Sequence, residues 1–206
     1  MTTLAGLLCD AADGRFPPSD GGWVRVPPWR AGVGAVLAFT GFAVLAVDGP
    51  LPRQVDGFGG AHDPRLITAL AGPDGWIDSL DALLVARGTG GPPALRARND
   101  LADHPRAAFA RAVRDDVRVL GRADGDDVAV LGRGIAGLAE LSMEVPAGRR
   151  GGAGRALVRD ALTCVPDGEV VVAAVAPGNA ASLRALLAAG FVPIGSSQLF
   201  RRAPAP

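Results

Sequence analysis

The sequence predicts a mixed α/β domain, on three observations. From about residue 80 onward, segments with strand rhythm alternate with segments of helical period. Three successive strand signals are separated by short turn sequences, the pattern of an antiparallel meander. A glycine-rich stretch then joins a long strand signal to a helix. At 206 residues the chain has room for one domain and a substantial extension. We therefore expect an N-terminal extension over 1–79, the main domain over 80–202 and a tail over 203–206. The 49% hydrophobic and 20% charged content is that of a folded protein with a buried core.

Residues 1–30 carry Pro17-Pro18, Gly21-Gly22 and Pro27-Pro28, which predict an irregular lead-in. Ala35 to Val47 reads as an apolar hairpin about Phe39-Thr40-Gly41-Phe42. The longer uncharged run from Ala31 is roughly 17 residues, short of the ~20 needed to span a bilayer, and glycines interrupt it. Pro64 to Ala71 predicts a short helix and Leu80 to Ala86 a strand, followed by a Gly/Pro loop at 88–93. Leu101 to Val113 has helical spacing, with Asp100 or Asp103 available as cap. Strands follow at Val117–Leu120, Val128–Leu131 and Ile135–Val145, then a helix at Gly154–Cys164. Val170–Val175 is an apolar strand of the kind buried on both faces. Asn179 caps a helix running to Ala189, Gly190 stops it, and Phe191–Phe200 supplies the last strand.

Charge and composition exclude several functions. Lys+Arg of 21 against Asp+Glu of 21 leaves no basic field for nucleic acid. Every basic residue is Arg, and Lys and Tyr are both absent. Cys9 and Cys164 make no disulfide framework, and the N-terminus lacks a charged leader, so a cytoplasmic, non-membrane protein is expected, as monomer or homodimer. His62 and His104 have no ligand partners at metal spacing, so no metal is expected. Cys164, on an apolar helix face, reads as a core residue. Ser196 and Ser197 lack a nucleophile-elbow pattern.

The chemistry concentrates in Val145 to Gly154, VPAGRRGGAG. A glycine-rich turn at a helix N-terminus brings backbone N–H groups up to an anion that the helix dipole also favours. Arg149 and Arg150 add positive charge. The same glycines equally suit a tight turn packed on a strand. A P-loop is excluded for want of Lys, and the dinucleotide fingerprint because Leu157 stands where its third Gly belongs.

These residues resemble the GCN5-related N-acetyltransferase (GNAT) family. Its pyrophosphate loop reads Arg or Gln, two residues, Gly, one residue, Gly or Ala, filled here by Arg149, Gly152 and Gly154. A second family segment, Asn, two residues, Ser or Ala, then a closing Gly-Phe pair, is matched by Asn179, Ser182, Gly190 and Phe191. The resemblance covers about residues 80–202. It implies a central, mostly antiparallel twisted sheet flanked by helices, with acetyl-coenzyme A as co-substrate and a small-molecule or peptide amine as acceptor. Main-chain groups of 141–145, including Met143 and Val145, would pair with the pantetheine arm. The N–H groups of Arg150, Gly151, Gly152, Ala153 and Gly154 would hold the pyrophosphate, and Asn179 and Ser182 would meet the arm from the other side.

An ammonium acceptor must lose a proton before it attacks a thioester. Strand alternation sets Leu141, Met143 and Val145 on one face and Glu140, Ser142 and Glu144 on the other, away from the expected core. Glu140 is the first candidate for the base and Glu144 the second; solvated strand charges are the alternative. Many relatives carry a Tyr in the last helix that protonates the leaving thiolate. Leu186 stands at that position here, so Ser182 or water would have to serve. A binding module of the same fold without turnover is the second reading.

Overall fold

In the computed structural model, which describes residues 3–123, 125–146, 148–149 and 151–202, the last strand of the chain pairs with a hairpin near its beginning. The chain accordingly divides into two units, residues 1–83 with 194–206 and residues 84–193. The return of residues 194–206 to the first unit follows from Ser196–Phe200 pairing antiparallel with Ala38–Gly34. The expected tail at 203–206 falls outside the described residues.

In the first unit the predicted hairpin forms between β2 (Gly34–Phe39) and β3 (Phe42–Ala46). Its two-residue turn, Thr40-Gly41, needs the positive φ of 68° that Gly41 supplies without strain. β1 (Gly22–Val26) runs parallel to β3, β11 (Val192–Arg201) antiparallel to β2, and β4 (Trp76–Ile77) antiparallel to β11. The expected irregular lead-in is corrected. Residues 4–12 form α1 (Leu4–Ala12), because Leu4, Leu8 and Ala11 recur at helical spacing on one buried side and Thr3 Oγ1 accepts from the Gly6 amide at 3.0 Å. The proline pairs lie outside the elements and do not break them. The predicted helix α2 (Pro64–Ala71) starts as its sequence directs: the Asp63 carboxylate caps the Arg65 amide and Pro64 takes the first turn. Its Leu66, Ile67 and Leu70 share a core with Val36, Leu45 and Phe200. Among the described residues no helix is long and apolar enough to cross a membrane.

The second unit holds strands in the order β5 (Asp81–Arg87), β10 (Val170–Val175), β9 (Ala139–Glu144), β8 (Val128–Arg133), β7 (Asp115–Gly121), β6 (Arg96–Ala97). The meander β7–β8–β9 is antiparallel as predicted, and β10 is parallel to β9. β9 is shorter than expected, because Ile135–Gly137 forms a 3-10 turn with Ala136 at φ 59°. α3 (Pro105–Val113) starts four residues later than predicted. Pro105 cannot donate an amide and so takes the first turn, leaving His104 to cap through Nδ1, which accepts from the Arg106 amide at 3.2 Å. Ala107 and Ala110 of α3 pack on Val119, Val128 and Val130. α4 (Ala153–Leu162) packs on β8, β9 and α5 (Ala180–Ala188).

These contacts settle the faces of β9. Ser142 and Glu144 lie opposite Val130 and Val128, so the even-numbered positions share the face that α3 covers. Met143 belongs to the other face, next to Gly154 at the start of α4. Both faces are covered, and the even-numbered face is therefore not the open surface that alternation alone suggested.

In the first unit, His62 is partly buried. Its Nε2 lies 3.3 Å from Ser196 Oγ, and its Nδ1 is buried without a partner among the described residues. Burial pushes its pKa below 6.5, opposed by a hydrogen bond with Gln198. The unfolded chain therefore binds the proton more readily, so the stabilising effect of neutral His62 is complete above about 6.5 and lost as pH falls below it. We expect the urea midpoint to decline over that interval and His62→Gln to flatten the decline. An identical pH profile for the variant would show that His62 titrates freely in the folded protein.

Candidate functional site

β9 and β10 are paired through Val171 opposite Ala139 and Val172 opposite Glu140. Beyond these pairs, among the described residues, β9 continues to Glu144 and β10 to Val175 without pairing to one another. The separation has a local cause. β9 runs into the glycine loop, β10 turns at Pro177-Gly178 into α5, and α4 and α5 pack together at the same end. That close packing depends on Gly154. A Cβ there would lie 3.2 Å from Ala185 Cβ and 3.5 Å from Met143 Cε.

A cavity of about 910 Å³ opens at this end, lined by the end of β9, the loop, the first turn of α4 and one side of α5. In the loop, Gly148, Gly151 and Gly152 all adopt positive φ, at 96°, 83° and 90°, a region that side chains with a Cβ avoid. Beyond the adjoining residues, no described atom lies within 4 Å of the position a Cβ would take at any of the three, so backbone conformation and not crowding selects glycine. Gly152 caps α4 without a side chain, leaving the first amides of the helix without intrahelical acceptors. Arg106, Arg149, Arg155 and Arg184 lie around the same cavity. Exposed N–H groups, a helix N-terminus and the surplus of arginine around the opening make an environment for an anion.

Met143, Glu144, Val145, Arg149, Gly151, Gly152, Ala153, Gly154, Asn179 and Ser182 all line this cavity. Arg150, also expected here, falls outside the described residues. Asn179 Oδ1 accepts from the Ser182 amide at 3.1 Å, so its carbonyl caps α5. Leu186, at the position of the expected acid, is 3% exposed and packs in the interior. The Arg149 side chain is engaged within the protein, 2.9 Å from Asp127 Oδ2.

Glu140 departs from expectation. It is 3% exposed, does not line the cavity, and both carboxylate oxygens are occupied. Arg114 Nη2 lies 2.6 Å from Oε1, and the Ile135 amide donates to Oε2 at 2.9 Å. Arg114 Nη1 also donates to Ser142 Oγ at 3.0 Å. The alternation was read correctly, but α3 and the residue after it cover this part of the face. Glu144, four residues on, is half exposed at the cavity; Arg106 Nε lies 3.3 Å from Oε2, and His104 Nε2 lies 3.9 Å from Oε1. Because Nδ1 of His104 accepts the helix-cap bond, the neutral ring carries its proton on Nε2, facing Glu144. Sequence reasoning did not find Arg106, Arg114 or Asp127. A cation in the first turn of α3, where the dipole disfavours it, was the one available signal for Arg106.

No family model matches the chain, and no curated protein does. Solved structures of similar fold include a GNAT-family protein from Novosphingobium aromaticivorans, at 20% identity over 64% of this chain and 69% of that one, with a TM-score of 0.40. A GCN5-related N-acetyltransferase from Kribbella flavida is 15% identical over 70% and 65%, with a TM-score of 0.41. An acetyltransferase from the GNAT family from Colwellia psychrerythraea is 12% identical over 70% and 62%, with a TM-score of 0.40. The chain thus spans about two thirds of the length of these solved chains, and the likeness is one of fold.

Removing one partner of the Glu140–Arg114 pair leaves an uncompensated buried charge, which costs about 3–5 kcal/mol. Glu140→Gln is expected to lose stability on that scale in urea denaturation, with much of it restored when Arg114→Met is added. Unchanged stability together with lost turnover would return Glu140 to the role of base.

Proposed function

We propose that the second unit binds an acyl-coenzyme A, with acetyl-coenzyme A as the expected form, and transfers the acyl group to a primary amine. The observation that carries this reading is the separation of β9 from β10 immediately above a positive-φ glycine loop at a helix N-terminus. Unpaired strand backbone offers alternating donors and acceptors to an extended amide-containing arm, and the loop offers N–H groups to a diphosphate. A nucleotide-linked pantetheine thioester has both features in that order.

On this reading, backbone groups of 141–145 pair with the arm, while the N–H groups of Gly152 to Arg155 meet the diphosphate. The thioester supplies the acyl group. Glu144 is the carboxylate that reaches the cavity, and it takes the proton from the acceptor ammonium. The neutral nitrogen then forms its bond to the carbonyl carbon, the carbon–sulfur bond breaks, the thiolate leaves with the electron pair, and the proton that the new amide nitrogen sheds passes to the thiolate. Ser182, whose residue lines the cavity, supplies a hydroxyl in place of the missing phenol.

Buried Leu186 is the observation that favours a binding module without turnover. Calorimetric titration with acetyl-coenzyme A and an amine-acceptor screen separate the two. Binding with turnover that falls by about 100-fold or more in Glu144→Gln, at unchanged cofactor affinity, fits the acid–base contribution expected of an enzyme. Tight binding with no transfer to any amine would establish the module. Absence of binding by folded protein would sink both.

A further inference from the structure

The loop between β9 and α4 is joined to the sheet by a chain of charges in which Asp127 is central. Asp127 immediately precedes β8 and is fully buried, at 0% exposure. Its Oδ2 is 2.9 Å from Arg149 Nη1 and 3.4 Å from Arg122 Nη1. Its Oδ1 is buried with no partner among the described residues. Arg122 in turn pairs with Asp160 of α4, with Nε 3.0 Å from Oδ2. The turn that carries Arg122 and Asp127 is itself held, because buried Arg98 donates to the carbonyls of Arg122 at 2.8 Å and Gly125 at 2.5 Å.

A desolvated carboxylate is costly unless cations reach it, so Asp127 exerts a strong demand on Arg149. Arg149 is half exposed and could point into solvent, yet its guanidinium turns back to Asp127. It also sits in a stretch where backbone order is costly to obtain. Gly148 on one side and Gly151 and Gly152 on the other are all at positive φ, and glycine loses more conformational freedom on ordering than any other residue. Arg149 has a side chain that can tie this turn to something rigid, and Asp127 is what it meets.

We infer that Asp127 is a positioning residue for the diphosphate-binding loop: it holds Arg149, and through Arg149 the backbone at Gly148, Gly151 and Gly152, in the conformation that presents the first amides of α4 to the ligand. The inference rests on the acyl-coenzyme A reading. In it, the Arg149 guanidinium is committed to the protein, and the loop's N–H groups carry the anion.

The test compares coenzyme A with pantetheine, which has the arm and lacks the diphosphate. Titration of the wild-type chain with coenzyme A comes first, and no binding there overturns the functional reading itself. With binding established, Asp127→Asn is expected to weaken coenzyme A about tenfold and leave pantetheine within about twofold. A residue needed only for stability would shift both ligands alike. An Arg149 that touches the diphosphate directly would be freed by the substitution, and coenzyme A affinity would hold or rise; either result overturns the inference. Should Asp127→Asn not fold, hydrogen exchange of the ligand-free protein decides the matter. Amides of 148–155 should exchange faster in Arg149→Leu and as in wild type in Arg149→Lys, whose ammonium still reaches toward Asp127. Equal exchange in all three proteins would overturn the inference.

Discussion

The feature on which the rest of the second unit depends is a pairing that stops. β9 and β10 start as a parallel ladder at Val171–Ala139 and Val172–Glu140 and then go separate ways. Backbone N–H and C=O groups left without partners in a dry interior would be strongly destabilising. Here they border an opening of about 910 Å³, where water or a ligand can satisfy them. The opening persists because its two sides are held independently. β9 is fixed by β8 along six paired positions, whereas β10 leads through Pro177-Gly178 into α5, whose packing on α4 is set by the absent side chain of Gly154. A site of this kind is made by what the backbone cannot close.

The same strand carries two carboxylates with opposite fates, and the length of α3 explains why. Glu140 and Glu144 are four residues apart in β9, about 13 Å at the usual rise of an extended chain. Arg114 and Arg106 are eight residues apart on and just beyond α3, about 12 Å at the helical rise. The helix lies along the strand with matching spacing, so each end provides an arginine for one glutamate. At the Arg114 end the pair is dry and also binds the Ile135 amide and Ser142. At the Arg106 end the face runs out into the cavity, and Glu144 stays half exposed. Fixed arginines at both ends give the two carboxylates different environments without any change in their own strand geometry.

Much of this was legible in the sequence wherever a single physical signal dominated. The hairpin about Thr40-Gly41, helix α2 after Asp63-Pro64, the apolar strand at 170–175 and the glycine loop each depend on local chemistry that the chain states directly. The cap at Asn179 is of the same kind. Failures came where local signals compete or where the decisive partner is distant in sequence. In the first 30 residues, frequent prolines and glycines masked α1 and β1, although the prolines lie between the elements. At Pro105 the apolar rhythm pointed to an earlier helix start, and the missing amide overrode it. Glu140 was placed on the correct face, but its burial depends on Arg114, 26 residues away and beyond the reach of strand periodicity. Asp127 was invisible for the same reason, since nothing in its neighbourhood names Arg149 as its partner.

The absence of tyrosine looks like the largest departure from an acyl-transfer site, yet the chemistry makes it the smaller of two requirements. An alkyl ammonium with a pKa near ~10.4 is almost wholly unreactive at neutral pH, and removing its proton there costs about 4–5 kcal/mol. A thiolate whose conjugate acid has a pKa near ~8.5 is a competent leaving group, and protonating it at pH 7 is already favourable by about 2 kcal/mol. The proposed reaction therefore depends more on a positioned base than on a positioned acid. This chain keeps a carboxylate at the cavity, steadied by Arg106 and faced by His104, and buries Leu186 where the acid would stand. On the proposed reading, then, loss of Glu144 would cost more than the absence of a phenol, since water can protonate the thiolate.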